Sequence, residues 1–252
     1  MRILLTNDDG INARGLQALQ TIAAAISNDV WTVAPETDQS GQARSLTLSH
    51  PLRVREVGER SFAVTGTPTD CVIMGVRQLV PGGVDLVLSG VNHGTNIGDA
   101  ILYSGTVAGA MEAAFLRIPG IALSQGYSPD GTRVVRWDTV ERHGPAIVRG
   151  LVENGFAASR LVNVNVPDCE PDEVTGVEVV RQGRFEHALH VEERRDGRNL
   201  PYHWLAFRGG AAADQPGTDI DAIRRNAIAV TPLQLNLTDD RAFERLKGVL
   251  AP

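Results

Sequence analysis

The chain has 252 residues, of which 42% are hydrophobic and 21% are charged, and its formal net charge is −6. This size and composition are typical of a globular protein with one large core and a smaller appended lobe. An acidic chain is not expected to bind a nucleic-acid polymer, because such proteins usually carry a basic face. Basic residues do cluster between Arg181 and Arg198, but Asp and Glu are mixed among them, which is typical of a solvated hairpin.

The cysteines and the apolar runs indicate the compartment. Cys71 and Cys169 lie far apart without Cys-x-x-Cys spacing, which favours a reducing environment over a disulfide framework or a zinc site. No stretch approaches the roughly 18 apolar residues of a membrane span. The N-terminal apolar run ends before Asn7 and is too short for the hydrophobic region of a signal peptide. We therefore expect a cytoplasmic protein with no membrane partner.

From the N-terminus to residue 167, strand and helix patterns alternate. Strands are predicted at 3–5, 30–33, 84–88, 121–123 and 161–166, and helices at 16–26, 70–80, 104–116 and 139–154. Residues 36–60 lack periodicity and are predicted to form a long loop, and a loop of that length usually has a function. The alternation predicts a Rossmann-like, doubly wound and mostly parallel sheet in a three-layer α/β/α arrangement.

The pattern changes after Pro167. Strands at 177–180, 188–191 and 203–207, with turns at Asp196-Gly197 and Gly209-Gly210, predict an antiparallel β-hairpin excursion. A helix at 219–225, a strand at 227–231 and a closing helix at 239–250 complete the chain. We expect a single domain over residues 1–252, with a core that carries the active site (1–167) and a smaller C-terminal part (168–252).

Polar residues follow two of the predicted strands. Asp8 and Asp9 come directly after the first strand, and the glycine-rich loop 89–98 follows strand 84–88 and leads to a helix start at 104–106. In an open parallel sheet, ligands bind beyond the carboxyl ends of the strands, so these segments can converge. Paired carboxylates favour a hard divalent ion such as Mg²⁺ or Mn²⁺, and a helix N-terminus favours phosphate. Together they indicate phosphoryl chemistry.

Each of these features also has a purely structural interpretation. Asp9-Gly10 is a good turn dipeptide, and Ser104 and Thr106 could simply cap a helix. His93 could be a general acid or an exposed loop residue. Three other phosphate- or metal-handling classes do not fit. A receiver domain is about half this length, haloacid-dehalogenase phosphatases need Asp-x-Asp, and His-Pro-Asp-Asp deacetylases need a histidine before the acidic pair.

An ordered set of motifs between residue 1 and about residue 240 resembles the SurE nucleotidases. Any one motif is weak, but the order and spacing of the set are specific. The motifs are Asn7-Asp8-Asp9-Gly10, Gln39-Ser40-Gly41, Gly66-Thr67-Pro68-Thr69-Asp70-Cys71, the segment 89–96, Tyr103-Ser104-Gly105-Thr106-Val107-Ala108, Tyr202-His203-Trp204 and Thr231-Pro232-Leu233. Two departures are His203, where the family favours an aromatic residue, and Asn226-Ala227, where it favours glycine.

The resemblance implies a divalent-metal-dependent phosphatase of nucleoside 5'- and 3'-monophosphates. It also implies a homodimer or homotetramer that uses the hairpin and the closing helix for assembly. We expect one Mg²⁺ or Mn²⁺ per subunit, with Asp8 or Asp9 also serving as the catalytic base. The metal ligands would be Asp8, Asp9, Ser40 and Asn92, and the phosphate contacts Asn96, Ser104, Gly105 and Thr106. The alternative is a regulatory module that binds metal and nucleotide without turnover.

Overall fold

The computed structural model describes residues 1–127, 134–154, 160–185, 188–208 and 215–250. The strands are β1 (Arg2–Thr6), β2 (Asp29–Pro35), β3 (Val54–Gly58), β4 (Ser61–Val64), β5 (Leu86–His93), β6 (Gly120–Gln125), β7 (Leu161–Val166), β8 (Gly176–Val179), β9 (Ala188–Arg195), β10 (Pro201–Arg208) and β11 (Ala227–Leu233). The helices are α1 (Arg14–Ala24), α2 (Pro68–Met74), α3 (Gly105–Phe115), α4 (Trp137–Asn154), α5 (Asp219–Arg224) and α6 (Asp240–Leu250).

Nine of these strands form one sheet in the order β3-β4-β2-β1-β5-β6-β7-β11-β8. The six strands from β4 to β7 are parallel, whereas β3 and β11 run antiparallel to their neighbours β4 and β7. Strands β9 and β10 form a separate antiparallel hairpin. The predicted fold class, a Rossmann-like α/β sheet with a hairpin excursion, is confirmed.

The continuous apolar run of β1 follows from its central position. Ile3 and Leu5 belong to the core cluster that α1 and α4 cover, and Leu4 belongs to the cluster under α2 on the opposite face. All three side chains are fully buried. A strand covered on both faces reads as apolar throughout because neither set of alternating side chains meets water.

Three local predictions were wrong. Strand β3 lies inside the predicted loop 36–60; it is an edge strand with every residue exposed, so burial leaves no alternating pattern in its sequence. Strand β8 does not join the excursion but pairs in parallel with β11, which the sequence around residue 177 does not reveal. The predicted helix 70–80 is α-helical only to Met74 and continues as a π-helical turn, Gly75–Leu79.

The remaining features of the second half agree with expectation where they are described. The turn at Asp196-Gly197 joins β9 to β10, and the Asp196 N–H donates to the Leu200 carbonyl. The predicted turn at Gly209-Gly210 lies outside the described residues. Within the described ranges, no helix is both long and apolar enough to cross a membrane.

Helix α3 packs against the sheet with no space for a methyl group at Gly120, since a Cβ there would lie 2.4 Å from the Ala110 carbonyl oxygen. We expect Gly120→Ala to force α3 and β6 apart and lower the free energy of unfolding by about 1–3 kcal/mol. The control is Gly150→Ala on the exposed face of α4, where nothing lies within 4 Å of the new methyl group. That change should raise stability by about 0.5–1 kcal/mol. Urea unfolding measures both, and equal stability of the two variants would contradict this packing.

Candidate metal and phosphate site

The sheet reverses its strand order between β1 and β5. After β1 the chain turns to β2 on one side, and after β4 it crosses to β5 on the other, so β1 and β5 are neighbours with Thr6 paired to Ser89. A crevice forms beyond the carboxyl ends of strands at such a switch point. The segments that follow β1 and β5 carry Asp8, Asp9 and Asn92, and the structure therefore brings the predicted residues to one edge of the sheet.

Asp8 is buried against the start of α3. Its Oδ1 accepts a hydrogen bond of 2.5 Å from the Thr106 hydroxyl, and a Cβ on Gly105 would lie 2.9 Å from its Oδ2. Only glycine at position 105 allows the helix to approach the carboxylate this closely. Burial raises the pKa of Asp8 to about 6; the Thr106 hydroxyl opposes this rise and the Asp9 carboxylate adds to it.

Asp9 is half-buried, and burial raises its pKa as well. The His93 N–H lies 3.4 Å from its Oδ2 and opposes the rise, whereas the Asp38 carboxylate adds to it. Among the described residues, no ion pair includes Asp8 or Asp9. The site thus gathers negative charge without a cationic side chain paired to it.

Ser40 lies on the exposed segment after β2, which hydrogen bonds attach to the site. The Gln39 N–H donates to the Asp8 carbonyl over 2.8 Å, and the Ser40 N–H donates to Asp38 Oδ1 over 2.7 Å. Asp38 is therefore a third carboxylate at the site, and sequence reasoning missed it. Its position two residues before Ser40 in the motif was the available signal.

An ion pair between the exposed Arg44 and the buried Glu112 attaches this same segment to α3. The Arg44 guanidinium lies 2.7 Å from Glu112 Oε2, and its Cζ lies 5.2 Å from the centre of the Phe115 ring. Glu112 is buried in a helix otherwise rich in Ala and Gly. Sequence reasoning missed this pair too, although a lone acidic residue on an apolar helix face predicts a partner.

Asn92 lies where the register of β5 against β6 shifts. Its Nδ2 donates to the Gly94 carbonyl over 2.8 Å, and its Oδ1 accepts no hydrogen bond within the described part of the chain. The amide nitrogen is thus turned toward the loop, and the amide oxygen remains available as a ligand.

Asn96 is held in a buried network of amides. Its Nδ2 donates to Ser124 Oγ over 3.0 Å, its N–H donates to Asn165 Oδ1, and its carbonyl accepts from Asn163 and Asn165. Its side-chain nitrogen is therefore engaged by the protein, and its contact with phosphate stays a prediction. Asn163 and Asn165 were missed; two amides in the otherwise apolar strand 161–166 were the signal.

Buried Asp219 connects this loop to the C-terminal part of the chain. Its carboxylate accepts hydrogen bonds from the N–H groups of Gly98, Gly183 and Ile220. Burial raises its pKa, and the three N–H donors oppose the rise. The residue was missed as a member of the site, because only the tertiary structure brings α5 near residue 98.

Ser104 caps α3, because its Oγ accepts a hydrogen bond from the Val107 N–H over 3.0 Å. Ser104 is therefore the N-cap, whereas Thr106 is not a cap but binds Asp8; the contacts of both residues with phosphate stay predictions. The first N–H groups of a helix have no partner within the helix, so the start of α3 beside Asp8 can still accept an anion.

The donors at this site fit a hard divalent ion. Carboxylate, amide and hydroxyl oxygens of Asp8, Asp9, Asn92 and Ser40 are the ligands that Mg²⁺ and Mn²⁺ prefer. The described residues contain no group of three or more His, Cys, Asp or Glu side chains suited to a metal. Two carboxylates are sufficient for Mg²⁺, which retains several waters and is completed by substrate phosphate.

The fold and the site define a Rossmann-like α/β protein with an acidic, oxygen-rich ligand site at its switch point. A family model described as Survival protein SurE matches residues 3–188. Proteins named 5'-nucleotidase SurE from Mesorhizobium japonicum and Brucella anthropi are 54% and 55% identical, over 100% and 99% of this chain and 100% and 97% of theirs. The crystal structure of SurE from Aquifex aeolicus, 34% identical, superposes with a TM-score of 0.85 over 99% of both chains. The chain belongs to the SurE family.

The raised pKa of Asp8 predicts a pH-dependent cost in the metal-free protein. Because the folded state holds this proton more tightly than the unfolded chain, stability falls as pH rises from about 4 to 6 and stays lower above that range. The difference between 3.8 and about 6 corresponds to about 3 kcal/mol. In excess chelator, Asp8→Asn should therefore be more stable than the wild type at pH 8 by up to about 3 kcal/mol, and equally stable near pH 4. Urea unfolding across this pH range measures the difference, and a gap that does not change with pH would contradict it.

Proposed function

We propose that this chain is a divalent-metal-dependent phosphohydrolase that releases phosphate from nucleoside 5'-monophosphates and also from 3'-monophosphates. The observation that carries the proposal is the buried carboxylate Asp8 held directly against the N-terminus of α3, with Asp9 beside it. This places a cation site next to an anion site, which is what a phosphate ester on an acidic protein requires. The name 5'-nucleotidase carried by the relatives supports the substrate class.

In this proposal Asp8, Asp9, Asn92 and Ser40 hold one Mg²⁺ or Mn²⁺. The ion supplies charge neutralisation at the phosphate and acidifies a bound water. Thr106 keeps the Asp8 carboxylate oriented through its 2.5 Å hydrogen bond, which fixes one ligand before any ion binds. The half-buried Asp9 is the member of the pair open enough to orient a water and accept its proton.

The start of α3 binds the phosphate. Its unpaired N–H groups and the Ser104 hydroxyl stabilise charge on the phosphate oxygens as the water attacks in line with the leaving ribose oxygen. The buried amides around Asn96 hold the loop 94–98 in place beside the helix start. Positioning and electrostatic stabilisation together supply nearly all of the rate enhancement in phosphoryl transfer.

The test is phosphate release from a nucleoside monophosphate with Mg²⁺ or Mn²⁺. Asp8→Asn and Asp9→Asn should each lose at least about 100-fold in kcat/KM, because each removes a charged ligand at the reacting centre. Asp85→Asn is the matched control: this carboxylate lies at the opposite end of β5 and accepts a hydrogen bond from the Arg2 N–H.

Three outcomes would contradict the proposal. Full activity in either site variant would exclude its carboxylate from the mechanism, and undiminished wild-type activity in excess chelator would exclude the metal. Metal-dependent nucleotide binding without any phosphate release would favour the regulatory module instead.

We also propose that the chain assembles as a homodimer or homotetramer. Apolar side chains are exposed on the hairpin β9–β10 and on α6. No side chain of α6 is buried. The exposed residues are Val191, Leu200, Tyr202, Trp204 and Leu205 on the hairpin, and Phe243, Leu246, Val249 and Leu250 on the helix. Exposed apolar patches of this kind are typical of surfaces that a partner covers.

Charges at the centres of these faces should weaken the assembly. We expect Trp204→Glu or Phe243→Glu to lower the mass measured by light scattering coupled to size exclusion, because burying an unpaired charge in an interface is unfavourable. Arg198→Glu, in the polar turn of the hairpin, is the control. A wild-type chain that elutes as a monomer at micromolar concentration would contradict the proposal.

A further inference from the structure

We propose that His93, Tyr127 and Trp137 form a stacking platform for the nucleobase of the substrate. This inference rests on the proposed function and adds the part of the site that binds the base. The platform would hold a flat, aromatic ring next to the carboxylates that bind the metal, while the phosphate of the same molecule lies at the start of α3.

The three rings come from three different elements and meet at one place. His93 ends β5, Tyr127 follows β6, and Trp137 begins α4. The His93 ring centre lies 5.1 Å from that of Tyr127 and 6.3 Å from that of Trp137, with interplanar angles of 81° and 67°. His93 is exposed and the other two rings are half-buried, so aromatic surface remains open to solvent.

The platform begins at the carboxylate pair. The His93 N–H lies 3.4 Å from Asp9 Oδ2, and Asn92 is the preceding residue. Helices α2 and α3 pack on each other on one face of the sheet, and α1 and α4 pack on each other on the opposite face. Trp137, at the start of α4, and the proposed phosphate site, at the start of α3, therefore belong to different helix layers. A molecule with its phosphate at the start of α3 could extend past Asp9 toward His93.

Neighbouring groups hold the rings in position. A Cβ on Gly94 would lie 2.9 Å from Tyr127 Cε1, so the Tyr127 ring lies against the bare backbone of that glycine. Arg14 lies with its Cζ 5.9 Å from the Trp137 ring centre and binds Glu141 at 2.6 Å. Rigid aromatic surfaces lose little conformational entropy on binding, and every nucleobase has a face that can stack on them.

Two other places could receive the base. Tyr103 is exposed and directly precedes the α3 cap, and a cavity of about 420 Å³ beside residues 36–67 includes His50. The platform is favoured because a base that stacks on one of its steeply inclined rings also meets the edge of a neighbouring ring, and because the His93 N–H contacts Asp9. Substitutions at Tyr103 and His50 therefore serve as the competing arms of the test.

The experiment compares AMP with ribose 5-phosphate, which lacks the base, under saturating Mg²⁺ or Mn²⁺. We expect the ratio of kcat/KM for AMP to that for ribose 5-phosphate to fall about tenfold in His93→Ala and in Tyr127→Leu, mainly through KM for AMP. Tyr127→Phe keeps the ring and should keep the wild-type ratio. Tyr103→Leu and His50→Ala should also keep it.

An unchanged ratio in both His93→Ala and Tyr127→Leu would overturn the inference, as would a fall confined to Tyr103→Leu or His50→Ala. An equal loss for both substrates would show that the rings only maintain the fold around Asp9. If the wild type releases phosphate from neither compound, the proposed function fails by itself. The affinity for AMP, measured by calorimetry on the same variants, then tests the platform. We expect weaker binding in His93→Ala and Tyr127→Leu, and wild-type affinity in Tyr127→Phe, Tyr103→Leu and His50→Ala.

Discussion

The site depends on carboxylates that are buried beside one another at the switch point of the sheet. Burial raises the pKa of both Asp8 and Asp9; the Asp9 and Asp38 carboxylates raise that of Asp8 further, and the Asp38 carboxylate raises that of Asp9. An apolar pair of similar volume would pack there without this cost. The fold instead surrounds the pair with fixed hydrogen bonds from Thr106, Gln39 and the backbone of His93, so the negative charge stays in place for a ligand.

The surrounding structure can be understood as support for that charge. Gly105 allows α3 to approach Asp8, and the Arg44–Glu112 pair ties the exposed segment that carries Ser40 to the same helix. On the other side, Asn163 and Asn165 hold the loop 94–98 through buried hydrogen bonds. Asn163 and Asn165 each bind the backbone of this loop, which borders the site, although the buried Asn163 Oδ1 has no hydrogen-bond partner among the described residues. The stability cost of the site is thus offset by contacts that also preorganise it.

Relatives at 54–55% identity over nearly the whole chain establish the family, and the superposition on the Aquifex aeolicus protein establishes the fold. The proposed roles of Asp8, Asp9, Asn92 and Ser40 rest on their placement and on the chemistry of oxygen donors. The proposed platform for the base, formed by His93, Tyr127 and Trp137, borders the same carboxylates.

The sequence by itself determined the α/β architecture, because strands covered on both faces and amphipathic helices leave strong periodic patterns. It also placed Asp8, Asp9 and Asn92 at strand ends, where ligands bind. Only the tertiary structure decided with which strands β3 and β8 pair. A short or exposed edge strand has no pattern of buried residues in its sequence from which its neighbour could be predicted. For the same reason the Arg44–Glu112 pair and the bonds of Asp219 to Gly98 and Gly183 could not be read from spacing. Contacts between residues so far apart in the chain are set by how the layers pack, not by any local preference of the residues themselves.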